Sequence, residues 1–585
     1  MNLSFNNLSK GYEGKMIFEN IGGQISDGDK IGLIGANGVG KTTLVNILTG
    51  KEESDTGEIR CSPYHINILY IEQYPKFERG ITVYQDIKGF LSRSKDYQDD
   101  FMDMEEIGAM ARAALNKVGL GREKWDHDVE NLSGGEKTKL ILSRMLVAQF
   151  DFLILDEPTN HLDIDSSDWL ENYIKDLDKS MIIISHDRYF LDNTVNRIWE
   201  LTDQGLEVYE GNYSSYRDQK EIQLKHIERE YEKQQTRIQD LRVMISDREN
   251  WYRSAHKSAG QNDYLRSRAK KHASSLRAKR SQLERLEEER IEKPRKQLSP
   301  AFQIINKNII GRKFPRFLIR GKNISKSFGQ NQVLDNISFN VERKDKIAVI
   351  GANGSGKTTF LKTLCGIHDD YVGTLQISPS VNMGYFSQEL ENLNYGATIL
   401  EDVLTVGGSV GEVRLLLACL LFRGDDVYKR VGDLSMGEKG RVAFAKLILS
   451  DANLLVLDEP TNYMDIQSRE KVEEALEQFE GTIIFVSHDR YFVKRLANRI
   501  FVIGDKRLHC FDSNYEVYLA RAGTVESHRA KEDGQRQMKE DIMKLETELA
   551  YLGGKLDGTL DEEEKEELSK RYLQLARELN RMKDL

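Results

Sequence analysis

The chain is written twice. Gly35-Ala36-Asn37-Gly38-Val39-Gly40-Lys41-Thr42-Thr43 returns 316 positions later as Gly351-Ala352-Asn353-Gly354-Ser355-Gly356-Lys357-Thr358-Thr359. Leu153-Ile154-Leu155-Asp156-Glu157-Pro158-Thr159-Asn160 returns after 302 positions as Leu455 to Asn462, and Ser185-His186-Asp187-Arg188-Tyr189-Phe190 returns after the same 302 at Ser487 to Phe492. Ordered self-similarity of this kind requires two copies of one fold, and 585 residues leave room for two large domains plus smaller pieces. The change of offset places about 14 extra residues in the first copy, between Gln73 and Ser133, which stand 60 apart where Gln388 and Ser435 stand 47 apart. The polar, helix-compatible stretch from about Lys88 to Glu105 is the expected insertion.

Each copy opens with a short apolar run, Lys30 to Ile34 and Lys346 to Ile350, that leads into the glycine-rich loop and then a helical pattern. Strand, G-x-x-x-x-G-K-[ST] loop and helix in that order form a P-loop α/β unit. The loop glycines let backbone N–H groups curl around phosphate, and the helix amino terminus adds positive potential. Lys41 and Lys357 are expected to reach the β/γ-phosphates of ATP, and Thr42 and Thr358 to ligate Mg²⁺. Met181 to Ile184 and Thr482 to Val486 read as further buried parallel strands. The apolar run ending in Asp156-Glu157, and its copy ending in Asp458-Glu459, delivers carboxylates to the ligand-binding edge of such a sheet. The aspartates suit Mg²⁺, directly or through water, and the glutamates suit a general base acting on the attacking water.

Leu132-Ser133-Gly134-Gly135-Glu136 lies 23 residues before Asp156, as Ser435 does before Asp458, and resembles the signature of the ATP-binding-cassette family. The resemblance covers most of residues 1–215 and 317–520, with every motif present twice and in order. It implies that Tyr12 and Phe328 stack on adenine, and that Gln73 and Gln388 sense Mg²⁺ and water. It assigns His186 and His488 to the γ-phosphate, and Asp163 and Asp465 to the loop after the Asp-Glu strand. It further implies head-to-tail pairing within one monomer, so that Lys41 shares a site with Ser435 and Gly437, and Lys357 with Ser133 and Gly135. Met436 stands where the pattern has glycine, and Tyr463-Met464 replaces His161-Leu162. If position 436 needs φ > 0, a side chain there is strained, and the two sites are expected to be unequal.

Between the copies, Leu224, Ile227, Tyr231, Ile238, Leu241 and Ile245 keep a 3-4 spacing with Gln234 filling the gap, and Leu265, Ala269, His272, Leu276, Leu283 and Leu286 follow after Ser258 to Asn262. Two seamed helices joined by small residues predict an antiparallel hairpin, with an arm of ~37 residues reaching ~55 Å. Toward its tip Trp251, Tyr252, Arg253, His256, Lys257, Tyr264, Arg266 and Arg268 interleave bases with aromatics, a composition suited to RNA phosphates and stacked bases; a solvated helical face with aromatics packing the hairpin is the alternative.

This connector, with Thr159 to Asp163 and Tyr209 to Ser214, resembles the ABC-F family. That resemblance implies tandem cassettes at 1–215 and 301–522, the hairpin at 216–300, and a cytoplasmic ATPase that binds the ribosome at its tRNA exit site. Ribosomal RNA and peptidyl-tRNA are the implied partners. Some members displace lincosamides, pleuromutilins or streptogramin A from the peptidyl-transferase region; a housekeeping translation factor and a DNA-associated member remain open. Residues 523–585 carry a second seam, Ile542, Leu545, Leu549, Leu552 and Leu556, then Leu568, Tyr572, Leu575, Leu579 and Met582, which predicts a C-terminal helical hairpin.

Composition closes off other classes. The apolar share of 39% supports real cores, and the net charge of -10 leaves a local basic patch possible. Cys61, Cys365, Cys419 and Cys510 are far apart, which speaks against a disulfide framework or zinc site and fits a reducing compartment. The amino terminus does not read as a signal peptide. The run Leu415 to Phe422 is far short of the ~20 residues a membrane span needs. A transporter's energy-coupling subunit would need a membrane partner and leaves the basic hairpin unexplained.

Overall fold

The computed structural model describes residues 1–63, 66–73, 77–93, 104–160, 162–258, 263–289, 302–307, 309, 314–387, 392–521 and 575, without the side chains of 93, 104, 251–258, 263–274, 302 and 303. Each copy holds one mixed six-stranded sheet and one three-stranded antiparallel sheet. In the first, strands run in the order Ile68–Ile71, Phe152–Asp156, Ser180–Ile184, Lys30–Ile34, Arg197–Thr202, Gly205–Glu210. All neighbours are parallel except the last pair. The second copy repeats this order as Met383–Phe386, Leu454–Asp458, Thr482–Val486, Lys346–Ile350, Arg499–Gly504, Arg507–Phe511. The central strands Phe152–Asp156, Ser180–Ile184, Leu454–Asp458 and Thr482–Val486 are buried at every position. Burial on both faces is why they read in the sequence as continuous apolar runs.

The smaller sheet, Lys15–Ile25, Asn2–Tyr12 and Thr56–Ser62, closes over one face of the larger. Leu3, Phe5, Leu8, Ile31, Leu33, Leu44, Ile182 and Trp199 form the core between them. Phe5 meets Trp199 edge-on at 5.6 Å. Leu318, Ile319, Leu334, Ile347, Phe360 and Phe501 build the same core in the second copy. Each fully buried aliphatic or aromatic side chain here contributes about 1.5–3 kcal/mol, so the sheet edges that carry the Asp-Glu pairs are held rigidly. The first copy's longer segment contains the helices Val83–Arg93 and Met104–Lys117, where the second has the shorter Ile399–Leu404 and Val410–Cys419. Positions 94–103 of the expected insertion lie outside the described residues.

The connector opens with a 46-residue helix, Tyr213–Ser258, and returns as a 26-residue helix, Asp263–Glu288. Gln234 donates to the Glu289 carbonyl at 2.9 Å, and Arg242 pairs with Glu287 at 2.6 Å. Ile238, Leu241 and Ile245 are buried between the helices, and Leu276, Leu283 and Leu286 line the facing seam half-buried. Leu224 and Ile227 keep the predicted spacing yet are exposed, because the described return helix stops opposite Gln234. The aromatic and basic tip residues, from Trp251 to Arg268, lie on these helices with side chains outside the described residues. Residues 523–585, Leu575 aside, also lie outside them. Among the described residues, 1–496 and 501–509 form one compact unit, and 497–500 with 510–521 a second. In the second, Arg499 pairs with Asp512 at 2.8 Å, and Phe511 meets Tyr518 edge-on at 5.3 Å. Among the described residues no helix is long and apolar enough to cross a membrane.

Candidate active sites

Each glycine-rich loop turns from its strand into a helix, Lys41–Leu48 or Lys357–Leu364, through a left-handed glycine cap. Gly40 has φ 104°, and a Cβ there would stand 2.5 Å from Ile17 Cγ2; Gly356 repeats this with φ 101° and Val333 Cγ1 at 2.7 Å. At Gly35 and Gly351 a Cβ would strike the Leu201 and Ile503 carbonyl oxygens at 2.4 and 2.3 Å. Only glycine permits these turns and this approach. Lys41 donates to the Gly35 and Ala36 carbonyls at 2.8 and 3.1 Å, and Lys357 to Gly351 and Ala352 at 2.9 and 3.1 Å. Burial lowers both lysines' pKa, opposed by their own Asp-Glu pairs and by one aspartate from the other copy, Asp465 for Lys41 and Asp163 for Lys357.

The Asp-Glu strands end beside these loops. Asp156 Oδ2 accepts from Thr42 Oγ1 at 3.4 Å and from the Tyr70 hydroxyl at 3.2 Å. Burial raises its pKa, and it pushes Asp458 up to about 6. Glu157 and Glu459 both have φ 50°. That left-handed backbone costs roughly 1–3 kcal/mol and is kept where the surroundings impose it. It turns each carboxylate toward the histidine loop: the backbone N–H of His186 donates to Glu157 Oε2 at 3.3 Å, and that of His488 to Glu459 Oε2 at 3.3 Å. The ring Nε2 atoms stand 3.5 and 3.4 Å from the Oε1 atoms, which are buried and accept no hydrogen bond from the described residues. Burial pushes both glutamates up to about 7. It holds His186 well below its ordinary value and His488 down at about 4. Each pair is therefore a near-neutral acid beside a neutral imidazole.

The two copies complete each other's sites. One cavity of about 380 Å³ is lined by Asn37, Gly38, Gly40, Lys41, Thr42, Thr43, Gln73, Asp156, Glu157 and His186 from the first copy and by Ser435, Met436, Gly437 and Tyr463 from the second. The other, about 950 Å³, gathers Phe328, Ala352, Asn353, Gly354, Gly356, Lys357, Thr358, Thr359, Asp458, Glu459 and His488 with Ser133, Gly135 and Asp163. Tyr12 is exposed and outside the lining of the smaller cavity, its hydroxyl bonded to Glu52. Gln388 and His161 lie outside the described residues.

Ser133 and Ser435 cap the helices Gly134–Val147 and Met436–Leu449 in capping boxes with Glu136 and Glu438. Although burial raises it, hydrogen bonds from Ser133 and Lys124 hold Glu136 down at about 2. The expectation of backbone strain at Met436 is corrected here. Met436 is the first residue of its helix and has no positive φ, so an L side chain fits; what distinguishes it from Gly134 is a side chain lining the smaller cavity.

Three features escaped sequence reading. Asp163 and Asp465 each accept an N–H from the opposite phosphate loop, Asn353 at 3.2 Å and Asn37 at 3.3 Å. The residues after the repeated histidines cross the boundary: Arg188 bonds Glu473 and lies 3.4 Å from Asp489, while Arg490 lies 3.2 Å from Glu171. All five are buried. The available signal was the recurrence of arginine in both histidine motifs, Arg188 and Arg490, and of glutamate at the same offset, Glu171 and Glu473. The third is Arg469, which lines both cavities.

Comparison with known proteins agrees with this architecture. The family described as ABC transporter matches residues 18–160 and 334–462, and a second model under the same description matches 199–304. The putative ATP-binding protein YdiF of Bacillus subtilis is 34% identical over 89% of this chain and 83% of its own. ABC transporter F family member 2 of Arabidopsis thaliana is 32% identical, covering 92% and 81%. The ribosome protection protein VmlR of Bacillus subtilis is 32% identical, covering 95% and 93%. Among solved structures, RNase-L Inhibitor shares the fold with a TM-score of 0.60 at 19% identity, over 89% of this chain and 93% of that one. The chain belongs to the F family of ATP-binding-cassette proteins and is an ATP hydrolase.

Proposed function

We propose that this chain is a ribosome-binding ATPase of the cytoplasm, acting as a monomer, whose ATP-driven cassette closure presents the helical hairpin to ribosomal RNA at the tRNA exit site. There it displaces drugs bound near the peptidyl-transferase centre, of the lincosamide, pleuromutilin or streptogramin A kind. The likeness to a ribosome protection protein over nearly the whole of both chains carries this reading, and the long hairpin between the cassettes supplies a part that could reach into the ribosome.

In the proposed mechanism Lys41 and Lys357 hold the β/γ-phosphates, with Ser133 and Ser435 closing each site from the other cassette. Thr42 with Asp156, and Thr358 with Asp458, offer hard oxygens for Mg²⁺, joined by Gln73 and Gln388. The donor set fits: the Thr42 hydroxyl and the Asp156 carboxylate stand 3.4 Å apart, hard oxygens of the kind Mg²⁺ takes when substrate phosphates and water complete its shell. Bound Mg²⁺ would neutralise charge on the transferring phosphoryl group. Glu157 and Glu459, raised by burial to about 7, can accept a proton from water near neutral pH. His186 and His488, neutral, can contact the γ-phosphate.

The test is co-sedimentation of the Glu157→Gln, Glu459→Gln protein with ribosomes in the presence of ATP, followed by toeprinting with and without drug. Trapped binding and rescue only in the presence of drug are expected. Rescue without drug would favour a housekeeping translation factor. Binding to DNA instead of ribosomes would overturn the reading.

A further inference from the structure

The repeat breaks at one buried position beside both sites. Ser167 and Arg469, 302 positions apart, occupy the fourth residue of the helices Ile164–Asp176 and Ile466–Gln478. Arg469 is 8% exposed and lines both cavities. Its Nε donates to the Met464 carbonyl at 2.9 Å, which fixes the stem within its own cassette. One terminal nitrogen donates across the boundary to the His186 carbonyl at 3.1 Å and stands 3.5 Å from Asp489 Oδ2. His186 is the residue whose N–H holds Glu157. Asp489 follows His488, whose N–H holds Glu459. The guanidinium thus grips the first site's histidine loop directly and reaches the second site's only through a neighbouring side chain.

We propose that Arg469 is a positioning residue acting in trans, which locks the His186–Glu157 pair of the first site to the second cassette, so that hydrolysis at that site requires closed cassettes. A buried guanidinium is kept only where it is well matched, and its rigid plane fixes Nε on the Met464 carbonyl while a terminal nitrogen meets the His186 carbonyl and Asp489, a set of three acceptors that the short serine hydroxyl cannot span and the flexible lysine stem does not pre-orient. Ser167 is too short to do the same for His488, so the brace serves one site. The electrostatics are one-sided too: Arg469 is the strongest charge opposing the burial-driven rise of Glu157 and the weakest of those named around Glu459.

The inference rests on Glu157 and Glu459 being the water-polarising carboxylates, and the test separates the two. Single-turnover ATP hydrolysis by the full chain carrying Glu459→Gln reports the first site, and by the chain carrying Glu157→Gln the second. Adding Arg469→Met should slow the first site roughly tenfold or more, the loss expected of a misplaced catalytic pair. The ATP concentration for half-maximal rate should stay within about twofold. The second site should stay within about twofold as well, which also reports an intact fold. Arg469→Lys should restore only part of the rate. Equal slowing of both sites, or a shifted half-maximal concentration with the rate intact, overturns the proposal. If the single glutamine variants hydrolyse like the parent at both sites, the carboxylate assignment falls, and the proposal with it.

Discussion

Asp163 uses its two carboxylate oxygens on two different cassettes. Oδ1 accepts the Ser166 N–H at 3.0 Å and caps its own helix, while Oδ2 accepts the Asn353 N–H of the opposite phosphate loop at 3.2 Å. Asp465 does the same with Ser468 at 2.9 Å and Asn37 at 3.3 Å. Because helix start and phosphate loop share one side chain, assembly of a site is tied to closure of the pair. Replacing Asp163 by alanine should cost about 1 kcal/mol for the cap and a similar amount for the charge-assisted bond across the boundary. ATP affinity at the Lys357 site should fall by about fivefold, the equivalent of the bond across the boundary. Titration with a fluorescent ATP analogue would show it, and unchanged affinity would mean that the contact across the boundary does not matter to binding.

The buried glutamates make a pH prediction with a definite sign. Glu157 and Glu459 are raised from 4.5 to about 7, so the folded state holds protons that the unfolded chain has released. Their contribution is intact below pH 4.5 and declines as pH rises through 7, by about 3 kcal/mol for each group. His488, lowered from 6.5 to about 4, acts in the opposite direction, losing stability as pH falls through that window. The two are separated by a difference measurement. In nucleotide-free protein the gain in Tm of Glu157→Gln over the parent should grow from pH 5 to pH 8; a constant gain would show that Glu157 does not titrate there.

Much of this was legible, and the reasons differ residue by residue. The parallel strands were readable because burial on both faces forces continuous apolar runs such as Leu153 to Leu155. The loops were readable because Gly40 and Gly356 occupy a conformation that excludes other residues. The seam of the connector was readable as a stripe, but spacing cannot say where a partner helix ends, so the exposure of Leu224 and Ile227 was not. The left-handed backbone of Glu157 and Glu459 leaves no trace in composition, since nothing local selects for it. Arg469 meets His186 and Asp489 meets Arg188 from about three hundred residues away, and such neighbours appear only once the copies are seen face to face.

The sites should turn over unequally. The first is the smaller cavity, carries the Met436 side chain and is braced by Arg469, and Asn37 Oδ1 lies 3.2 Å from His186 Nε2. The better-held pair should carry the larger share of hydrolysis, so Glu157→Gln should lower total turnover several-fold more than Glu459→Gln. Equal losses in steady-state ATPase assays would remove the asymmetry.

The crossed ion pairs hold the closed arrangement together, and they should behave as buried pairs do. Arg188 is 4% exposed and Glu473 2%, so Glu473→Ala leaves a buried guanidinium with Asp489 alone and should destabilise by about 3–5 kcal/mol. Replacing both, as Arg188→Met with Glu473→Met, should recover much of that loss, because the charges that lose a partner keep another, Asp489 with Arg469 at 3.5 Å and Arg495 with Glu477 at 2.7 Å. Denaturant midpoints for the two variants give the comparison. A double variant as unstable as the single one would show that the pair contributes attraction beyond its desolvation cost.

The connector's root is tied to the same crossing elements. Asp192 lies in the helix Arg188–Thr194, and its carboxylate accepts the Ser214 N–H and hydroxyl at 2.8 Å each, at the start of the long connector helix. The same carboxylate accepts the hydroxyl of Tyr491 from the other cassette at 3.1 Å. One side chain therefore joins the first histidine loop, the second histidine loop and the arm, and a shift of the cassettes is felt at the arm's first turn. Asp192→Ala should leave chemistry at the two sites intact, since it touches neither cavity. It should cost about 1–2 kcal/mol through the lost cap. Amide exchange at Tyr213 to Arg217 should quicken by roughly tenfold for each 1.4 kcal/mol lost, and its slowing on ATP addition should be weaker than in the parent. Exchange that still slows fully with ATP would show that the arm takes its cue through other contacts, of which the Lys220 pairing with Glu200 at 2.8 Å is the nearest along the helix.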